Sequence, residues 1–196
     1  FVFYLMQSGH TQAAESIHQA RTGWRKFQSI RRFLQPRLNN MDRVQDPYLK
    51  NIRWLMGELR NLDVSIDILS KIDRQDLRFD EYRPHHQSFM KSVMATRKAQ
   101  HQEFQKALST PTALQAIAQL FQPIPPIRFD AQNFPRWAAH RLDRMNKKRR
   151  ELARKATTDE CMHQHRLLAK DIRYVLETFP LLLKKKRFSR LLHKVQ

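Results

Sequence analysis

Two stretches of the chain repeat one pattern, and that pattern predicts a helix each time. Residues 17–34 read I-H-Q-A-R-T-G-W-R-K-F-Q-S-I-R-R-F-L, and residues 162–179 read M-H-Q-H-R-L-L-A-K-D-I-R-Y-V-L-E-T-F. A helix turns by about 100° per residue. On that wheel His18, Arg21, Arg25 and Arg32 fall within roughly a 60° arc, and His163, Arg166, Lys170 and Arg173 within roughly 80°. Trp24, Phe27, Ile30 and Leu34 lie on the other side of the first stretch. Leu168, Ile172, Val175, Leu176 and Phe179 do so on the second. Each stretch therefore reads as a helix with an apolar face and a narrow cationic stripe headed by a histidine.

The rest of the chain supports helices throughout. Its 196 residues contain only three glycines, too few for the turns of an all-β chain, and no segment alternates at period 2 for more than a few residues. Asp46-Pro47 predicts an N-cap and first helical residue. Behind it Leu49, Ile52, Leu55, Met56, Leu59, Leu62, Ile66 and Leu69 recur at helical spacing. Lys50, Arg53, Gly57 and Arg60 form a polar row on the same helix, continued by Asp63 and Asp67. Further helices are expected at about 86–108, from Pro111 to Phe121, and at about 136–156, where Arg141, Arg144 and Lys148 stand among many cations. Ser8 to Thr11 and residues 74–85 read as breaks. Phe1 to Met6 reads as the end of a helix begun earlier, and Phe188 to Gln196 as one just starting, so a fragment of a longer protein is expected.

The expected domain organisation is one domain in two helical halves. Residues 1–121 form the first, Pro-rich residues 122–135 the connection, and residues 136–196 the second, truncated at its C-terminus. The two His-x-x-Arg stretches lie about 145 residues apart, far longer than a solenoid period. The geometric consequence is an all-α fold of two helical-bundle repeats related by a pseudo-twofold axis.

Lys and Arg number 37 against 18 Asp and Glu, a formal charge of +19. A surplus of that size repels itself unless it meets a polyanion: nucleic acid, an anionic membrane, or a phosphate polymer. The lone Cys161 excludes an internal disulfide and fits a reducing compartment, so the cytoplasm is expected. No apolar run is long enough to span a membrane. Scattered carboxylates and the lack of a Gly-rich phosphate loop argue against phosphohydrolysis. Cys161, His163 and His165 share no helix face, so neither a metal nor any other cofactor is expected. Trp24, Trp54, Trp137 and the phenylalanines read as core, as does Met56, and His85, His86 and His101 as loop or surface histidines.

At these residues the chain resembles the CHAD domain, the conserved histidine α-helical domain family. Its early motif, His-x-x-Arg followed by paired basic residues, is met by His18, Arg21, Arg25 and Lys26, with Arg32 further along. A motif close to Arg-Asp-x-Asp-Val is met by Arg60-Asn61-Leu62-Asp63-Val64, with Asn61 for the usual acid. The late motif, His-x-x-Arg-x-x-x-Lys-x-x-Arg-Tyr-x-x-Glu, is met by His163, Arg166, Lys170, Arg173, Tyr174 and Glu177, with Asp171 departing from it. The resemblance implies a binding module, not an enzyme, that takes inorganic polyphosphate in a basic groove or channel. It also implies the pair of four-helix bundles.

Such a polymer carries a negative charge on every phosphate and no bases to read. Arg offers it a planar fork of donors, Lys a point charge, and His and Tyr a single hydrogen bond each. Candidate contacts are His18, Arg21, Arg25, Lys26, Arg32, Lys50, Arg53, Arg60, Arg141, Arg144, Lys148, His163, Arg166, Lys170, Arg173 and Tyr174. Ion pairs of Lys50, Arg53 and Arg60 with Glu58, Asp63 or Asp67 are a rival reading of that row. Nucleic acid is the alternative partner, and a phosphohydrolase accessory domain a further alternative. Because Gln28 stands where the second stretch has Arg173, the tighter grip is expected around His163.

Overall fold

The computed structural model describes residues 2–10, 13–37, 47–75, 82–119, 133–155, 158–180, 189, 191–193 and 195. Among these the chain is helical and contains no strand. The helices are α1 (Val2–His10), α2 (Ala14–Leu34, with a 3₁₀ turn at Gln35–Arg37), α3 (Pro47–Gln75), α4 (Arg83–Leu108), α5 (Pro111–Gln119), α6 (Asn133–Arg154) and α7 (Asp159–Thr178). None is long and apolar enough to cross a membrane.

The helix starts follow from local chemistry. Thr158 caps α7 by accepting from the Cys161 N–H at 3.3 Å, and Asp159 and Glu160 fill the first turn, where the helix dipole favours negative charge. Thr110 does the same for α5, accepting from the Ala113 N–H at 3.2 Å, with Pro111 as the first helical residue. Three breaks differ from the sequence reading. The helix α1 runs through Ser8 and Gly9 to His10. The helix α4 begins at Arg83, because Pro84 needs no N–H partner in a first turn. By the same tolerance Pro135 belongs to the first turn of α6, not to the connection. The expected Asp46 cap, the prolines at 123, 125 and 126, and the basic run 184–187 lie outside the described residues.

The chain divides into two compact units. Unit 1 comprises Phe1–Trp24 and Asp42–Pro123, and unit 2 comprises Arg25–Met41 and Ile124–Gln196. The core of unit 1 contains Leu5, Ile17, Trp24, Ile52, Met56, Leu59, Phe104 and Leu108, all buried. Helices α3 and α4 form its most extensive pair, with α5 packed on both and α1 on α4. The C-terminal carbonyls of α1 lack intrahelical donors, and α4 supplies them. His101 Nε2 bonds the Ser8 carbonyl at 2.9 Å, and Gln105 Nε2 donates to the Gly9 carbonyl. His101 is therefore 1% exposed, not the surface histidine expected. Gly9 allows this approach, since a Cβ there would lie 3.0 Å from Leu108 Cδ1.

Burial in the α3–α4 hairpin stops short of its outer end. Among the residues whose burial is described, the last buried one on α3 is Asp63, and the first on α4 is His101. Beyond them, residues 64–72 and 82–100 form an arm in which no described side chain is buried. Phe89 in this arm is 58% exposed, and Trp54, nearer the core, is 56% exposed. Both contradict the core reading. Trp54 projects about 140° from Leu59 on the helical wheel, away from the packed face.

Unit 2 is built on an aromatic cluster. Phe33 is fully buried among Ala138, Leu142, Ile172, Val175 and Leu176. Its ring centroid lies 5.3 Å from Trp137 and 6.5 Å from Phe179, and Phe134 stacks on Trp137 at 5.7 Å. Helices α6 and α7 pack along one another. The apolar face of α7 is buried as the periodicity predicts, with Ile172, Val175 and Leu176 at 0% exposure.

Candidate functional site

In unit 1 two of the expected rows meet. Arg21, on the first half of α2, is half-buried and donates from Nη1 to the Gly57 carbonyl at 3.1 Å. Gly57 stands in the middle of the α3 row, between Arg53 and Arg60, so Arg21 joins Lys50, Arg53 and Arg60 on one face. A Cβ at Gly57 would lie 3.7 Å from that Nη1, an ordinary contact. The fit therefore rests on the hydrogen bond, not on the absent side chain. Lys50 and Arg53 are exposed, Arg60 and His18 half-buried.

The rival reading of this row is not what the acids do. Asp63 accepts from Arg97 Nε of α4 at 2.6 Å, with side chains 3% and 12% exposed, and Asp67 pairs with Lys71 at 2.6 Å. Among the described residues Lys50, Arg53 and Arg60 show no side-chain hydrogen bond or ion pair. Asp63, from the second motif, thus ties α3 to α4 and leaves the cationic row unneutralised.

In unit 2, α7 presents its stripe outward. His163, Arg166 and Lys170 are exposed on the face opposite Ile172, Val175 and Leu176. Arg173 continues the stripe but is half-buried, with its guanidinium 5.1 Å from the Tyr174 ring centroid and Nε 3.4 Å from Glu177 Oε1. That ion pair is close in distance but is not an aligned hydrogen bond, and Nε is buried without an acceptor. Tyr174 is only 6% exposed. Its ring lies against the Arg173 guanidinium.

The second half of α2 faces the same unit. Arg25 and Lys26 are half-buried. Arg32 donates from Nη2 to Asp171 Oδ1 at 2.8 Å and from Nε to the Gln28 carbonyl at 3.3 Å. Buried Ser29 also places its hydroxyl 2.7 Å from Asp171 Oδ1. Arg141 of α6 is occupied as well: Nη2 donates to the Arg32 carbonyl at 2.8 Å, and the guanidinium lies 5.8 Å from the Phe33 ring. Burial, then Arg144, pulls its pKa down. Arg141 thus closes the C-terminal end of α2, where carbonyls lack helical partners, and is a structural cation. Its neighbours Arg144 and Lys148 are exposed.

The structure adds one pair that the spacing did not reveal. Arg149 Nη1 lies 3.1 Å from His165 Nε2, and Arg149 Nε donates to Asn146 Oδ1 at 3.2 Å. A guanidinium only donates, so Nε2 accepts and the imidazole is neutral, with its proton on Nδ1. Burial, then Arg149 and Arg166, lowers the His165 pKa. Burial and Arg150 lower that of Arg149. The one signal in the sequence is that His165 lies two residues off the His163 stripe, toward α6. Among the described residues no group of His, Cys, Asp or Glu could hold a metal ion.

Two helices with outward cationic stripes, an acid of the second motif buried against α4, and His163, Arg166 and Lys170 in register on α7 are the features that a family assignment must explain. No curated protein and no solved structure matches the chain. The family model for the CHAD domain matches residues 7–196, nearly its whole length, and the chain belongs to the CHAD domain family.

Proposed function

We propose that this protein is a binding module for inorganic polyphosphate and not an enzyme. One observation carries the reading: the exposed row His163, Arg166 and Lys170 on α7, mounted on a helix whose opposite face is fixed in the core. Such a row offers a linear polyanion successive charges at a spacing the polymer can follow, on a support that loses little entropy when it binds. Membership of the CHAD family and the +19 charge support the same conclusion. Arg21 with Lys50, Arg53 and Arg60 in unit 1 adds a second set of cations. The reading carries two finer expectations with it, a basic groove and a pair of related four-helix bundles.

Nucleic acid is the second reading, favoured by one feature. Trp54 is exposed on α3, the helix that carries Lys50 and Arg53, and an exposed aromatic near cations is what a stacked base uses. Titrating long-chain polyphosphate against duplex and single-stranded DNA at matched charge, in roughly 150 mM salt, separates the two. Tighter polyphosphate binding is expected, and equal or stronger DNA affinity would overturn the proposal. Release of orthophosphate over hours with Mg²⁺ would make the protein an enzyme.

A further inference from the structure

Asp171 is out of place on the helix where it sits. Its neighbours on α7 include Arg166, Lys170 and Arg173, yet it carries the opposite sign and is held firmly. Its Oδ1 accepts from Ser29 Oγ at 2.7 Å and from Arg32 Nη2 at 2.8 Å. Ser29 is 1% exposed, with its hydroxyl also 2.8 Å from the Arg25 carbonyl. One hydroxyl proton cannot serve both acceptors fully, and the charged oxygen is the stronger. The carboxylate is thus anchored from below by a buried serine, and its own side chain is 15% exposed. Arg32 is 58% exposed. An exposed pair of this kind contributes little to stability. Its larger effect is on the field: a fixed negative charge occupies one of the cations that would otherwise meet an anion.

We infer that Asp171 is an internal competitor for Arg32, a built-in anion that a phosphate of the bound polymer must displace, and so a residue that sets the affinity of unit 2. The inference rests on the polyphosphate reading. The exchange is sterically simple, because the guanidinium is open to solvent and only its Nη2 contact to Asp171 and its longer Nε bond to the Gln28 carbonyl hold it. Anchored by Ser29, Asp171 stays behind when Arg32 leaves, so each binding event also leaves a carboxylate facing the phosphates. Weak or short anions gain too little from one arginine to offset this, whereas a long polymer recovers the cost over its other contacts.

The test compares wild type, Asp171→Asn, Arg32→Ala and the double variant, using long-chain polyphosphate and pyrophosphate across salt concentrations. The change from carboxylate to carboxamide keeps an acceptor for Ser29 and removes the charge. Asp171→Asn is expected to tighten polyphosphate binding about 3- to 10-fold at low salt and to steepen the salt dependence by about one released ion. In the Arg32→Ala background the same change should lose most of that gain, an effect that a purely structural role would not produce. Unchanged or weaker binding by Asp171→Asn, or an equal gain without Arg32, overturns the inference while leaving the polyphosphate reading standing. Failure of the wild type to bind polyphosphate overturns both.

Discussion

The buried ion pair between Asp63 and Arg97 offers the sharpest test of how unit 1 is held together. The atoms lie 2.6 Å apart with side chains 3% and 12% exposed, and Asp63 Oδ2 is buried with no hydrogen-bond partner. At an effective dielectric constant of ~20 the attraction is about 6 kcal/mol. Desolvation of the two ions opposes it by several kcal/mol each, so the intact pair contributes little net stability. Breaking it is a different matter. Arg97→Met leaves a buried carboxylate without its ion partner, a loss expected at about 3–5 kcal/mol. For a chain of this length that is a fall in Tm of about 6–20 °C. Adding Asp63→Leu should restore most of the loss, because an apolar pair of similar volume needs no desolvation. Urea unfolding followed by tryptophan fluorescence and by circular dichroism would measure all four corners of the cycle. A single-variant loss under ~1 kcal/mol, or no recovery in the double variant, would refute the reasoning.

Other outcomes are equally definite. Arg166→Ala with Lys170→Ala should flatten the log–log salt dependence of polyphosphate binding by about 1.5, with Tm nearly unchanged, since both side chains are exposed. A large fall in Tm would mark them as structural ion-pair partners. His165 titrates below its ordinary 6.5, so between those two values the unfolded chain binds the proton and the folded one does not. Stability therefore rises with pH through that window and is lost as pH falls through it. Thermal melts from about pH 7.5 to about pH 5.5 should show a decline that His165→Gln reduces. Trp54→Ala should change unfolding free energy by less than ~0.5 kcal/mol, as befits an exposed residue; a loss as large as a core truncation gives in the same melts would return Trp54 to the interior.

What the sequence shows of this fold depends on which forces are local. The faces of α7 and the starts of α5 and α7 are legible because helical periodicity and caps act within one or two turns. Trp54 is misread as core on hydrophobicity, although its wheel position opposes the apolar row. The partners of Asp63, Asp171, Arg141 and His165 are not legible. Each is met by a residue 16 to 142 positions away, and such pairings depend on the register between helices. His101 is the clearest case. Its burial follows from the end of α1, whose carbonyls must find donors, and nothing in residues 98–104 says which helix end will arrive. The same limit applies to the candidate site. Stripe membership identifies its cations, but only packing separates Arg166, which faces solvent, from Arg141, which serves the backbone.

The uneven burial along the α3–α4 hairpin grades its stability from one end to the other. Amide protons near Ile52 and Phe104 can exchange only when the whole unit opens, whereas those in the arm are protected by helical hydrogen bonds and a half-buried seam alone. Opening should begin at the tip and advance inward, because each turn lost there exposes little new apolar surface. It meets its first substantial cost where Arg97 reaches Asp63, as releasing Arg97 to solvent would leave the buried Asp63 carboxylate without its partner. That pair acts as the latch at which fraying of the arm gives way to cooperative unfolding of the unit. The cationic row behind it, on the inner turns of α3, thereby sits on the more strongly protected side of that pair.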